Sequence, residues 1–472
     1  MVIVVVLLLA WGCSIPKLSV EANNYTPPAF RSLKDSSQII DSTNTADIIW
    51  SDYFNDKNLV TLIDTAISNN QELNILLQRI NMSKTEVQAR KGEYLPTLGG
   101  AIGGGVEKAG RYTRRGALEE DLEIAPDKAF PEPYPDLFVG VQASWEVDIW
   151  RKLRNSKDAA IQEYLSSIEG KNFVITELVS EVSRNYYTLL ALDNQLKYIE
   201  RNLNLQKNVL RILRQEKEAA KVTQLAVNRF EAQVLNTKNL QYEVKQEIVE
   251  VENHINFLMG RFPEPIERSS QEFTSITFDT IMTGVPSQLL INRPDIKKAE
   301  YELAAAKLDV KVARANFYPS LSIDAEAGIR AFNPTFLFDP QSLAYSLAGD
   351  IVAPLINRKA IKAEYNRANA KQIAVIIEYE QSILNAFIEV KNEVSRIQNY
   401  SESYTTKAEE VRILNKSVQI SNSLYASARA DYMEVLMTQR EALESQRELI
   451  DIKLEQLISK VELYQALGGG WR

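Results

Sequence analysis

Hydrophobic residues recur at spacings of three and four through most of the chain, which is the spacing of amphipathic helices. Two of these helical stretches are very long: residues 151–219 are interrupted only by Gly170, and residues 358–429 contain neither glycine nor proline. Each is followed by a shorter helical pattern, at 222–259 and at 432–467. Because roughly 70 helical residues extend for about 100 Å, we expect long helices that return on themselves and pack as coiled coil.

Strict alternation of apolar and polar residues predicts a second kind of element. Across 139–149 the odd positions are apolar and the even positions are glycine or polar, as in a β-strand with one apolar and one polar face. We place this strand at about 138–149 and an earlier one at about 95–106. A matching pair is predicted in the second half of the chain, at about 320–330 and 342–353.

The four predicted strands have the length of membrane-crossing strands. Each is near the roughly 9–11 residues that cross a bilayer when tilted. An open sheet edge in lipid would leave backbone N–H and C=O groups unpaired, so four strands need partners from other chains. Two chains would supply eight strands, enough for a barrel filled by its own side chains, and three would supply twelve, enough for an aqueous lumen. A duct therefore favours three chains.

The two halves of the chain repeat one another. The shorter helical patterns end at "NFLMGRFPEP" and "YQALGGGW", and superposing their first glycines, Gly260 and Gly468, aligns the apolar positions of the two return helices. Upstream, placing Pro96 over Pro319 lays "GEYLPTL" over "ANFYPSL". We therefore predict a tandem duplication with repeats at 51–265 and 266–472.

Composition narrows the possible chemistry. The net charge of −8 disfavours a nucleic-acid partner, because phosphate binding needs a basic face. His254 is the only histidine, so a histidine-based triad or multi-histidine metal site cannot form within one chain, and we expect His254 to be solvated. The glycine-rich "GGAIGGG" lacks the Lys-Ser/Thr of a phosphate loop and fits a crowded strand better. The acidic residues 119–121 are expected to face solvent in a polar loop. We predict no enzymatic activity, cofactor or metal.

The beginning of the sequence, "MVIVVVLLLAWGCSIP", predicts export. Its apolar run is too short to span a bilayer and ends before the only cysteine, Cys13. We expect residues 1–12 to be a signal peptide, Cys13 to become the lipidated residue, and 13–50 to form an extended tether. An ordinary cleaved signal peptide followed by an incidental cysteine is the alternative.

Four segments carry a resemblance to a known family: "LLINRPDIKKAEYELAAAK", "ARANFYPSLSI", "YMEVLMTQREAL" and "VELYQALGGGW". With them the chain resembles the TolC-like outer membrane factors of RND-type tripartite efflux systems, in the lipoprotein branch called the NodT family. The resemblance implies an α+β membrane protein and a trimer. Each protomer would give four β-strands to a twelve-stranded β-barrel that is continuous with a long α-helical coiled-coil barrel.

The resemblance also implies a function, partners and a location. The chain would be the passive exit duct through which small molecules such as drugs, toxic compounds or metal cations leave the cell. Its partners would be two further copies, a periplasmic adaptor (membrane fusion) protein, an inner-membrane RND pump and outer membrane lipid. It would span the outer membrane with its helices in the periplasm. The alternatives are a TolC-like duct for type I protein secretion and a non-channel periplasmic coiled-coil scaffold.

The site residues implied by the resemblance lie where the long helices turn, at the periplasmic tips. The implied adaptor contacts are Val222, Thr223, Gln224, Asp431 and Tyr432. The implied periplasmic gate consists of Tyr425, Met433, Met437 and Arg440. Relatives often carry an aspartate in place of Met437, so we expect a more apolar constriction here. The alternative for Met437 is simple packing between helices.

Overall fold

The computed structural model describes residues 21–28, 30, 44–125, 128–268, 273–277, 282–356 and 358–472. The predicted signal peptide and Cys13 lie outside the described residues. The chain divides into two compact units. The first, called here the strand unit, consists mainly of Asn81–Leu165 and Tyr301–Ile377. The second, called here the helical unit, consists of Ala22–Ile80, Ser166–Glu300 and Glu378–Arg472.

Helices dominate the described residues. In chain order they are α1 Trp50–Tyr53, α2 Lys57–Asn69, α3 Gln71–Tyr94, α4 Arg114–Asp121, α5 Lys152–Glu218, α6 Gln224–Leu258, α7 Leu289–Asn292, α8 Pro294–Ala315, α9 Lys359–Ala426 and α10 Tyr432–Ala466. The strands are β1 Thr97–Glu107, β2 Glu123–Ala125, β3 Lys128–Ala129, β4 Tyr134–Val147, β5 Ser320–Ala331 and β6 Leu343–Val352. The long helices, α5 and α9, have 67 and 68 residues, as the uninterrupted helical patterns predicted.

The strand unit contains a four-stranded antiparallel sheet with the order β1-β4-β5-β6. Its second strand, β4, begins at Tyr134, before the predicted start at about residue 138. The sequence-based start was late because Pro133 and Pro135 read as loop residues, yet proline is tolerated near the beginning of a strand. A separate two-stranded sheet pairs β2 with β3.

The helical unit has one large apolar core. It combines residues of α2, such as Leu59 and Ile63, with Tyr186 of α5 and Ile450 and Tyr464 of α10. All five side chains are buried. Within this unit, short helix α2 therefore packs in one core with the middle of α5 and the second half of α10.

The duplication is visible in the elements themselves. The return helices α6 and α10 each have 35 residues and occupy equivalent positions in the two repeats, as do β1 and β5. The difference in residue number between equivalent positions of the two repeats is larger before the connections between the strands than after them. The reason is that 108–133, which joins β1 to β4, is more than twice as long as 332–342, which joins β5 to β6.

The longer connection is not the plain loop expected from its composition. It contains α4, whose first turn is capped by Thr113 through a hydrogen bond from the Gly116 N–H. Glu119, expected to face solvent, is half-buried and accepts a hydrogen bond of 2.7 Å from Arg115. The cap and the ion pairs give this segment a local structure that proline and charge content did not indicate.

Candidate functional site

One face of the four-stranded sheet is apolar and exposed. In the register, Leu98 lies opposite Ala143, Ile102 opposite Val139, and Leu347 opposite Ala325, so the apolar positions of neighbouring strands share one face. The exposed fraction of Ile102 is 86%. An exposed apolar face of this extent is unusual for a chain surrounded only by water.

The opposite face of the same sheet is polar. The Gln142 amide donates a hydrogen bond of 3.0 Å to Glu326, and the Arg330 guanidinium donates two, of 2.8 and 2.6 Å, to Asp136. Apolar-out, polar-in alternation is the pattern of a transmembrane strand beside an aqueous lumen. The alternation predicted across 139–149 is therefore present in the fold as far as Val147, where β4 ends.

The first and last strands of the sheet are its edges. Among the described residues, β1 pairs with β4 alone and β6 pairs with β5 alone, so each presents one side without strand partners. Edges are templates for further strand pairing. In lipid they would have to be paired.

The long helices turn in the same way at both tips. Ala220 and Ala428, which fall under the alignment that pairs Gly260 with Gly468, both have left-handed backbones, with φ of 58° and 55°. The next N–H in each turn donates back to the last helical turn: Lys221 to the Glu216 carbonyl and Arg429 to the Leu424 carbonyl, both at 2.8 Å. These are the bonds of a Schellman-type helix end, which usually uses glycine.

The predicted adaptor-contact residues lie at these tips. Thr223 caps α6 by accepting a hydrogen bond of 3.3 Å from the Ala226 N–H, whereas the Asp431 side chain makes no capping bond to α10. Gln224 is exposed, and its side-chain amide donates to Asn228. Their contact with an adaptor stays a prediction.

One apolar cluster joins predicted residues from both tips. Leu213 and Phe230, on α5 and α6, are buried at its centre, and Val222, Tyr425 and Tyr432 pack against it. The fold therefore brings together residues that belong to different repeats of the sequence. The cluster does not include Met433, Met437 or Arg440.

The predicted gate residues differ in their surroundings. The Tyr425 hydroxyl donates a hydrogen bond to the Glu216 carboxylate. Burial, together with that carboxylate, raises the pKa of Tyr425 well above its usual range, so the hydroxyl keeps its proton. Met433 is half-buried, while Met437 is 38% exposed and Arg440 is exposed in the single chain.

Sequence reasoning missed Glu216 as a partner at the tip. A usable signal existed, because Glu216 precedes Ala220 by one helical turn, and Tyr425 likewise precedes Ala428. A tandem duplication makes the two tips equivalent. Polar groups one turn before each tip were therefore candidates for contact across it.

The family-like motifs "NRPD" and "ALGGGW" meet in the helical unit. Buried Arg293 donates a hydrogen bond of 3.0 Å to the Ala466 carbonyl at the end of α10, and pairs with Asp295 at 2.7 Å and Glu389 at 2.6 Å. Burial opposes the charge of Arg293, but the two carboxylates outweigh it and raise the pKa of the guanidinium. The Trp471 indole donates a hydrogen bond of 3.1 Å to the Asn292 carbonyl. The terminal glycines and tryptophan thus fit against the "NRPD" segment.

A second charged network lies on α9 and α10. Arg396 pairs with Glu393, Glu455 and Glu462, at 3.1, 3.0 and 2.6 Å. Burial raises the pKa of Glu393 even though Arg396 opposes the shift.

In the part of the chain that the structure describes, no cluster of three or more His, Cys, Asp or Glu residues is arranged to hold a metal ion.

His254, which was expected to be solvated, lies on α6. Its side chain is exposed and contacts a carboxylate: the imidazole Nε2 lies 2.8 Å from a carboxylate oxygen of Glu181.

Across the described residues, none of the helices combines the length and apolar character needed to cross a membrane.

Comparison with known proteins identifies the family. The family model described as outer membrane efflux protein matches residues 62–261 and 285–469. The solvent efflux pump outer membrane protein SrpC of Pseudomonas putida is 28% identical, and the alignment covers 98% of this chain and 97% of that protein. A Salmonella typhimurium protein described as "Probable outer membrane lipoprotein SilC" is 24% identical, with coverages of 97% and 93%.

A solved structure shows the same fold. The open-state structure of the Neisseria gonorrhoeae MtrE outer membrane channel superposes with a TM-score of 0.83 at 21% identity, covering 98% of this chain and 99% of that one. The predicted TolC-like fold is thus confirmed. The chain belongs to the outer membrane efflux protein family.

Proposed function

We propose that this chain forms, as a homotrimer, the outer membrane exit duct of a tripartite efflux pump. It receives small molecules from a periplasmic adaptor protein and an inner-membrane RND pump and passes them outward without catalysis. The family is one of efflux proteins rather than enzymes, and we propose that this member needs no cofactor.

The observation that carries the proposal is the four-stranded sheet with an exposed apolar face, a polar face and two edge strands. The apolar face suits lipid and the polar face suits a lumen. Three copies joined edge to edge give twelve strands, which leaves room for an aqueous path. The two family matches, one in each of the proposed repeats 51–265 and 266–472, support the tandem organisation.

The test is the mass and conductance of the purified protein. In mild detergent, native mass spectrometry should show three chains per particle. In planar bilayers the same sample should give discrete channel openings. A stable monomer or dimer, or a trimer that never conducts, would contradict the duct and favour a scaffold role.

The proposal places the gate and the adaptor contacts at the tips. The Tyr425–Glu216 bond ties the end of α9 to the end of α5, and exposed Met437 and Arg440 are available to face other copies. We propose that Met433 and Met437 supply an apolar constriction that closes by dewetting, while the Arg440 charge influences ion selectivity. The adaptor would bind at Thr223, Gln224 and Asp431, which are exposed.

Single-channel conductance tests this gate. Met437→Ser should raise the resting conductance by admitting water, and Tyr425→Phe should raise it by removing the hydroxyl that holds Glu216. The control is Met82→Ser, because Met82 is an exposed methionine on α3 and lies far along the sequence from either tip. If Met437→Ser conducts like wild type, the constriction must be sought at other tip residues.

We also propose that Cys13 is lipidated and anchors the chain to the membrane. The support is the sequence "LLLAWGC" and the description of one relative as a lipoprotein. Cys13→Ser should abolish incorporation of labelled fatty acid while the trimer still inserts. Labelling that survives the substitution would disprove the assignment.

A further inference from the structure

A basic cleft of about 520 Å³ lies in the strand unit, where the sheet gives way to helices. Strand β4 ends at Val147 and β5 begins at Ser320, and the cleft is built from the residues just beyond these two points. It lies between the beginning of α5 and the end of α8. The lining residues that matter here are Trp150, Arg151, Asp158, Lys311, Arg314 and Tyr318.

The cleft carries an excess of positive charge. Arg151, Lys311 and Arg314 line it, and within the described residues none of the three forms an ion pair. The single lining carboxylate, Asp158, already lies 3.3 Å from the ammonium of Lys157. Three cations and one carboxylate leave this concave site with a net positive charge, which attracts an anion.

Aromatic side chains form one wall of the cleft. The rings of Trp150 and Tyr318 are stacked with centroids 4.7 Å apart, and the Trp150 indole donates a hydrogen bond of 2.7 Å to the Pro319 carbonyl. Trp150 remains substantially exposed. Tryptophan and tyrosine at the end of a transmembrane strand are typical of the headgroup level of a membrane.

The polar side of the strand unit can be followed from the sheet into the helices. The Lys152 ammonium lies 2.5 Å from Glu146, which belongs to the polar face of β4. Glu163 lies eleven positions after Lys152, on nearly the same side of α5. Burial raises the pKa of Glu163, and the charges of Asp309 and Lys371 also act on it. These last two side chains pair at 2.9 Å, so α8 turns Asp309 to the polar side.

The basic cleft faces away from this polar side of the strand unit. Lys311 lies two positions after Asp309, roughly 200° further around α8, and so points away from the polar side. On α5, the lining residues Asn155 and Asp158 lie roughly 60° and 120° around the helix from Lys152, so the cleft is turned off the polar side there as well. The cleft therefore opens toward the side that the sheet presents to lipid.

We propose that this cleft binds the phosphate headgroup of an anionic membrane phospholipid, of the phosphatidylglycerol class, in the leaflet next to the helices. The phosphodiester would lie between Lys311, Arg314 and Arg151, which offer the charged donors that phosphate oxygens accept. Trp150 and Tyr318 would pack on the glycerol and first acyl carbons. The inference rests on the proposed placement of the sheet in the membrane.

Native mass spectrometry of the delipidated trimer tests the site. Phosphatidylglycerol is added to wild type and to the double variant Lys311→Gln/Arg314→Gln, and bound lipid per chain is counted. The double variant should lose affinity roughly tenfold or more, because each basic residue near an anionic lipid contributes substantially. Lys311→Gln alone, at an exposed position, should show a smaller loss in the same direction and guards against misfolding.

The matched control is Lys359→Gln/Lys362→Gln. These two exposed lysines begin α9, just after β6, and their replacement removes the same charge without changing the lining of the cleft. The control should bind phosphatidylglycerol like wild type. An equal loss in both double variants would show general electrostatic attraction and overturn the site.

Two further arms distinguish a lipid headgroup from a free phosphate and from a neutral lipid. Phosphatidylcholine with the same acyl chains should bind more weakly than phosphatidylglycerol, because the basic side chains repel its choline cation, and equal binding would overturn the preference for an anionic lipid. Soluble glycerol phosphate should not compete at equal concentration. Competition by glycerol phosphate would make the site one for free phosphate and overturn the lipid assignment. Channel openings recorded in neutral bilayers test the duct separately, because they are expected from wild type and variant alike.

Discussion

In each repeat the return helix ends against a backbone carbonyl, and the two carbonyls occupy equivalent positions of the duplication. Gly260 and Gly468 follow α6 and α10 with positive φ, 65° and 92°. A Cβ on Gly260 would lie 2.6 Å from the Asn69 carbonyl oxygen, and one on Gly468 would lie 2.6 Å from the Asn292 carbonyl oxygen. Asn69 and Asn292 are themselves equivalent positions of the duplication, so the close approach of two backbones occurs once in each repeat.

The side chains that donate a hydrogen bond to the end of each return helix differ between the repeats. In the first repeat the Asn70 amide donates a hydrogen bond of 2.9 Å to the carbonyl of Leu258, the last residue of α6. In the second repeat the equivalent donor to Ala466 is the Arg293 guanidinium, which also pairs with two carboxylates. A helix-end carbonyl buried against another segment needs a donor. The comparison indicates that the backbone requirement is shared, while the donor can be a neutral amide or a charged network.

Glycine substitution at these stops should have the largest effect on stability. Gly468→Ala should destabilise the trimer by about 3–5 kcal/mol, because φ of 92° lies beyond the left-handed minimum and the new methyl group overlaps a backbone carbonyl. Gly260→Ala should cost less, about 2–3 kcal/mol, since 65° lies near that minimum. Chemical unfolding in detergent, followed by circular dichroism, measures both. Equal losses of stability in the two variants would mean that the overlap with the carbonyl, and not the difference in φ, determines the effect.

Replacing the two hydrogen-bond donors should have the next largest effect on stability, and the effect should differ between the repeats. Arg293→Ala leaves the Ala466 carbonyl and two carboxylates without their shared partner and should cost about 2–4 kcal/mol, a value reduced because Glu389 is half exposed. Asn70→Ala removes a neutral donor together with the acceptor that Asn70 offers to the Leu73 N–H at the start of α3, and should cost about 1.5–2 kcal/mol. The same unfolding measurement applies. An Asn70→Ala loss as large as that of Arg293→Ala would show that the charged network adds nothing beyond a donor.

The sequence predicted the backbone of these stops better than their donors. The ends of α6 and α10 were visible as glycines after apolar-periodic runs, and the bounds differ only slightly from the prediction. The contacts of Asn70 with Leu258 and of Arg293 with Ala466 join residues 188 and 173 positions apart. Local patterns carry no information about which distant carbonyl a polar side chain will meet.

The tips and the strand connections show the same limit. The turns near Ala220 and Ala428 were placed correctly between long and short helices, although neither contains the glycine that left-handed residues usually require. The Tyr425–Glu216 bond and the helix in 108–133 were missed, because one depends on the approach of the two tips and the other on a single capping threonine.

The smallest expected difference lies at the tips, where the repeats again share a turn but not a side-chain bond. Thr223 caps α6, so Thr223→Ala should lower stability by about 1 kcal/mol. Asp431 occupies the equivalent position before α10 without a side-chain capping bond, and Asp431→Ala should change stability by less than about half that amount. The comparison matters for function, because Thr223 has a capping role in addition to its proposed adaptor contact, whereas Asp431 makes no side-chain capping bond and so tests binding without a loss of the cap. Asp431→Ala should therefore weaken binding of a purified adaptor more than it weakens the fold, measured by calorimetry beside chemical unfolding. An Asp431→Ala variant as unstable as Thr223→Ala would assign Asp431 to the helix end instead of the adaptor.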